Sequence, residues 1–196
     1  VFNTTTGGIW SQKPNAGDNS WISQWRNVRI RLPDDSTAVV FDYDVGDGSI
    51  IGCDFTGGRG CVVRGTGGMK IIGNRFDRST DYGLTVRVLA TSRVQYLVMG
   101  NQIEVNALGG ILIDGDANDA RTDPWVAVNI QGNTFRNFAP GVIADVVFRN
   151  AAGPDLFGGL VSGNTHSTTA KPVQIARNWR KVTVTGGQIG RASCRE

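Results

Sequence analysis

"KIIGNRFD", Lys70–Asp77, decides how this chain is read. Ile71 and Ile72 form a β-branched run, Gly73-Asn74 is a strong turn signal, and aromatic Phe76 follows at once, so the stretch reads as strand, corner, strand. The same order recurs in "SIIGCDF", "LVMGNQI", "NIQGNTF" and "LVSGNTH", with "VTVTGGQI" a weaker echo. With Cys53, Asn74, Asn101, Asn133, Asn164 and Gly187 as position zero, the intervals are 21, 27, 32, 31 and 23 residues, within the range of solenoid repeats. Three residues before zero stand Ile50, Ile71, Val98, Ile130, Val161 and Val184, and five before stand Gly48, Met69, Tyr96, Val128, Gly159 and Val182. That mostly apolar spacing of two is a strand turning one face to a core. Two after zero come Phe55, Phe76, Ile103, Phe135 and His166, a second buried side chain beyond each corner.

A further apolar segment starts about eight residues beyond each zero position: "GCVVR" (60–64), "GLTVR" (83–87), "GILID" (110–114), "GVIAD" (141–145) and "PVQIA" (172–176). Cys61, Leu84, Ile111, Val142 and Val173 share one phase, and Val62, Thr85, Leu112, Ile143 and Gln174 the other. Apolar positions two apart with 27 glycines suit strands and penalise helices. "NVRIRL" (27–32) and "TAVVFDY" (37–43) read as an earlier coil without the Gly-Asn corner.

Strand, corner, strand and variable loop, repeated over residues 27–188, resemble the right-handed parallel β-helix of the pectate-lyase-like superfamily. The resemblance implies an all-β solenoid of about six coils, open at both ends, with stacked asparagine amides at the corners; here Asn74, Asn101, Asn133 and Asn164 form that ladder. An amide carries both donor and acceptor, and Asn tolerates left-handed backbone, so the residue type suits the place. Residues 1–26, with Trp10, Trp21 and Trp25, are expected to be a cap or irregular coil sealing one end. Residues 189–196, "IGRASCRE", break the repeat and resemble a translated sequencing adapter, and are set aside as non-native together with Cys194. Cys53 and Cys61 lack metal spacing and fall at packing positions, which reads as buried free thiols.

Setting that tail aside removes two positive charges and one negative, so the formal +3 becomes +2 and no electrostatic case for nucleic acid remains. No apolar run approaches the roughly 20 residues a membrane helix requires. The sole histidine, His166, falls where the repeat places Phe55, Phe76 and Phe135, so a serine or cysteine triad has no credible base.

Stacking sets equivalent positions about 4.8 Å apart from coil to coil, and two carboxylate pairs emerge. Asp114 with Asp145, at the end of the second strand after Arg64 and Arg87, is the preferred catalytic pair; Asp77 with Glu104, beside Arg136, is the alternative. Two carboxyls at close range suit glycoside hydrolysis, one as acid and one as nucleophile or base, while an ion-pair ladder is the plain structural alternative. Arg64, Arg87, Arg136 and Trp125 are the candidate substrate-binding residues. Asp114, Asp116 and Asn118 alternate as in the first half of a calcium loop, but Asp119 stands where glycine belongs and Trp125 where glutamate belongs. No cofactor is therefore expected, and calcium is kept as the weaker alternative.

The superfamily's Gly-His-Gly and calcium-aspartate patterns are not reproduced in order, so no specific pectin activity is implied. Two readings stay open. One is a polysaccharide-binding and polysaccharide-cleaving β-helix, a glycoside hydrolase or polysaccharide lyase of tailspike-like or secreted type, expected from the resemblance to be extracellular or virion-associated. The other is a non-catalytic shaft or adhesin that presents loops or forms a homotrimer, suggested by Leu112 and Ile143 on the outward phase.

Overall fold

The computed structural model describes residues 2–3, 10–11, 22–32, 38–43, 47–65, 68–88, 94–115, 126–150, 156–167, 171–176, 179–186 and 188–189. Every described strand pairs in parallel with its equivalent one coil away, in three sheets of eight, seven and seven strands. This is the expected β-helix. The eight-stranded corner sheet is built from short strands such as Asp54–Thr56, Arg75–Asp77, Gln102–Glu104 and Thr134–Arg136. A second sheet contains Val39–Tyr43, Cys61–Gly65, Tyr82–Val88, Gly109–Gly115, Ala144–Asn150 and Lys171–Ile175. The third carries the strands that enter the corners, Gly68–Ile72 and Val94–Met99 among them.

The corner chemistry follows from the sequence. Gly73 and Gly100 adopt φ of 65°, the left-handed region that spares glycine a Cβ clash. Each following asparagine is buried and bonds in both directions: Asn101 Nδ2 donates to Ile71 O and Asn133 Oδ1, while Asn101 Oδ1 accepts from Asn74 N and Nδ2. The ladder continues to Asn164, and Cys53 joins it only through its backbone, with Cys53 N donating to Asn74 Oδ1 at 2.8 Å. The expected coil at 27–43 exists, with Asn27 in the left-handed conformation at φ 55°. Described strands of the first 26 residues, Phe2–Asn3, Trp10–Ser11 and Ile22–Arg26, extend the three sheets by one coil, and Trp25 packs edge-on to Phe41 at 5.3 Å. Trp21 and residues 190–196 lie outside the described residues.

The interior is a stack of like on like. Phe55 lies flat on Phe76 at 5.3 Å, Ile103 follows, and Phe135 lies flat on His166 at 5.0 Å. Cys53 and Cys61 are buried free thiols, and burial pushes the Cys61 thiol well up.

One stretch departs from the expected register. "GVIAD" is not the second strand of its coil; that strand is Ala144–Asn150, which pairs Ile111 with Val146, Leu112 with Val147 and Asp114 with Arg149. The cause is local. Ala139-Pro140-Gly141-Val142 closes a turn with Val142 N donating to Ala139 O, Pro140 presetting φ and Gly141 taking φ 97°, so the chain spends four more residues before the strand begins.

Candidate functional site

That shift separates the preferred carboxylate pair. Asp145 falls in a column held by Gly60, Gly83 and Gly110 in the preceding coils, and its side chain turns inward with no exposed surface. It accepts from Asn137 Nδ2 at 3.0 Å and lies 2.8 Å from His166 Nδ1. Burial raises its pKa, and the His166 and Asn137 hydrogen bonds work against the rise. Asp114 instead receives both arms of Arg149, Nε at 3.0 Å and Nη2 at 2.8 Å, a bidentate pair that holds the guanidinium still more firmly charged. The two residues therefore form no site together.

Asp145 also ends a second amide ladder that the sequence reading missed. Ser79 N donates to Asn106 Oδ1 and Asn106 N to Asn137 Oδ1, on the far side of the short strands. Its signal was present: Ser79, Asn106 and Asn137 stand five, five and four residues after Asn74, Asn101 and Asn133.

The alternative pair, Asp77 and Glu104, is stacked as expected, with Glu104 also opposite Arg136. Arg75 Nη2 bridges both carboxylates at 3.0 and 3.3 Å, Arg78 Nε lies 3.7 Å from Asp77, and Arg136 Nη1 lies 3.5 Å from Glu104. Every carboxylate here is matched by guanidinium. The arrangement is an ion-pair ladder on the corner sheet, and it pairs Arg136 with Glu104.

A groove of about 430 Å³ runs instead along the outside of the second sheet. Its floor is the outward column Val40, Val62, Thr85 and Leu112, which continues to Val147. Tyr82 lies across this floor with its ring against Gly109, where a Cβ would come within 2.9 Å of Cε1. Leu112, Tyr82, Ala144 and Val147 form a small apolar cluster on the outer side of the sheet, separate from the main core. One lip carries Arg59, Asp81, Leu108 and Ile143; the other carries Arg87, Asp114 and Arg149. Asp81 accepts from the Tyr82 backbone N–H at 2.9 Å and from Arg59 at 3.3 Å. Burial pushes the Tyr82 phenol up, against the opposing pull of Arg149.

Leu112 and Ile143 both line this groove, but Leu112's neighbour across the coil is Val147, and Ile143 sits beside Leu108, donating its N–H to Leu108 O. Of the expected binding residues, Arg87 lines the groove, and Arg64 is its neighbour by register. The Arg64 side chain and Trp125 lie outside the described residues, as do Asp116, Asn118 and Asp119 of the calcium alternative. Among the described residues no group of three or more His, Cys, Asp or Glu could hold a metal.

A family model described as right handed beta helix region matches residues 30–145, more than half of the chain. The chain belongs to the right-handed β-helix family. Comparisons with curated proteins and with solved structures gave no match. The matched span of this β-helix contains most of the groove, from Val40 and Arg59 through Asp114 to Ile143, and stops short of Val147 and Arg149.

Proposed function

We propose that this β-helix is a polysaccharide-binding protein whose ligand lies along the groove of the second sheet. The supporting observation is a groove that crosses successive coils, with an apolar floor and charged groups on both lips. From Val40 to Val147 the floor spans five strands, about 19 Å at about 4.8 Å per coil. An extended polymer uses such a length and a single sugar does not. For a cleaving enzyme, the carboxylates facing the groove among the described residues are Asp81 and Asp114, not Asp145.

Screening the 196-residue chain on a glycan array, followed by titration of the bound glycans, tests the reading. Arg87→Ala should weaken binding about fivefold or more, while Arg136→Ala, on the corner sheet, should leave it unchanged. Failure to bind any glycan, or equal loss in both variants, would overturn the proposal. A second reading, the non-catalytic shaft or adhesin, draws support from Phe138, Val105, Ile143 and Leu108, which are exposed to 58%, 53%, 42% and 38% on neighbouring corners. Sedimentation decides its homotrimeric form, which a strict monomer would exclude.

A further inference from the structure

The third sheet carries a separate groove that the glycan reading does not use. It measures about 810 Å³, and its outward column runs Gln24, Ser49, Lys70, Leu97 and Asn129 in register from coil to coil. Ile50 next to Ser49 points into the core, so the alternation of the strand turns Ser49 towards this groove. Yet Ser49 is 7% exposed, and its hydroxyl is one of two buried side-chain polar atoms without a hydrogen-bond partner among the described residues. A buried hydroxyl left unpaired is costly, and a fold that keeps one points to a ligand, ion or water that completes it.

Donors surround that hydroxyl. Gln24 and Lys70 flank Ser49 by register, at about 4.8 Å per coil, and Arg26 stands two residues beyond Gln24 on the same strand. Arg26 Nε donates to Gln24 Oε1 at 3.2 Å, which ties the two side chains together and leaves the Gln24 amide nitrogen and the other guanidinium nitrogens to donate elsewhere. The Lys70 ammonium has no ionic partner among the described residues. Gln24, Arg26 and Lys70 are all exposed, so a ligand reaches them, and swinging these long chains opens the way to Ser49. The two charges on this wall are both positive, and among the described residues no aspartate or glutamate lines the groove, unlike the glycan groove with Asp81 and Asp114; the Asp47 side chain lies outside the described residues. Donors on four separate side chains suit a group with oxygens in several directions better than a planar carboxylate.

We propose that this groove binds a sulfate or phosphate group seated between Gln24, Arg26 and Lys70, with Ser49 Oγ donating to it from the floor. Free ion and ester share this chemistry, and the test separates them. Inorganic sulfate and phosphate, their glucose 6-esters, and acetate are each titrated into the 196-residue chain at constant ionic strength, followed by the amide shifts of Gln24, Ser49 and Lys70 in nuclear magnetic resonance. Sulfate or phosphate should give saturable shifts, with acetate weaker. Tighter binding of an ester would assign the Leu97 and Asn129 half of the groove to its carrier, and equal binding would assign the site to the free ion. Lys70→Ala should weaken binding about tenfold or more, and Ser49→Ala about threefold or more, while Arg136→Ala on the corner sheet leaves it unchanged. Since the Ser49 hydroxyl has no partner in the fold, Ser49→Ala should not lower the melting temperature in anion-free buffer. Shifts that never saturate, acetate binding as tight as sulfate and phosphate, binding kept in both variants, or a lowered melting temperature for Ser49→Ala overturns the site. None of these results bears on glycan binding, which Lys70→Ala should leave intact.

Discussion

Replacing Asn101 with alanine in the middle of the corner ladder should cost the fold about 3–5 kcal/mol. The side chain has one percent of its surface exposed and takes part in four bonds, giving two from Nδ2 and receiving two at Oδ1. Without it, the Asn74 N–H and the Ile71 carbonyl lose their side-chain partner inside the coil, and one bond to Asn133 disappears. A buried polar group left without a partner costs about 1–3 kcal/mol, so two such groups set the size of the effect. The space left is small, so packing loss adds little beside the polar term. Equilibrium denaturant unfolding, followed by far-ultraviolet circular dichroism, measures the change, with Gln102→Ala on the exposed side of the next strand as the control. A loss under about 1 kcal/mol for Asn101→Ala would mean that water or a backbone shift satisfies the freed groups, and the ladder would then not be what fixes the corner.

Two other outcomes follow from single residues. Val105 is β-branched, 53% exposed and held at φ 53°, a backbone region that costs an L-residue about 1–2 kcal/mol, so Val105→Gly should stabilise the protein by about 0.5–1 kcal/mol after the glycine's own entropy cost; a destabilised variant in thermal unfolding would show that the side chain is needed. Asp145 has a folded pKa raised by burial, so the folded state holds its proton longer than the unfolded chain, and the stability tied to that proton is present below about pH 4 and is lost as pH rises towards the folded value. Asp145→Asn should remove this descending limb from a stability profile against pH, and an unchanged limb would place its origin elsewhere.

The reach of the sequence can be judged from these same residues. Asn101 and its ladder partners were legible because a solenoid repeats one local solution, and a period of two residues on either side of Gly-Asn fixes which side chains face the core. Asp77 and Glu104 were correctly stacked for the same reason, since the short strands follow the corner with no insertion between. Asp145 was misplaced because the chain between Asn137 and Ala144 is longer in that coil, and "GVIAD" imitates a strand whose register lies four residues further on. Pro140-Gly141 is the available warning, a turn signal at the very start of the expected strand.

The groove belongs to a different order of information. Tyr82, Asp81, Arg59 and Arg149 carry no spacing that marks them, and only the register of the second sheet sets Asp114 beside Arg149 on the same lip as Arg87. Periodicity along the chain reports which face of a strand is buried. It carries no information on how many residues each loop spends between strands, and that number decides which charge meets which across the coils. The sequence by itself therefore determined the β-helix, its corners and its core, while the tertiary structure decided that one aspartate turns inward to His166 and the other is clasped by Arg149 at the edge of a groove.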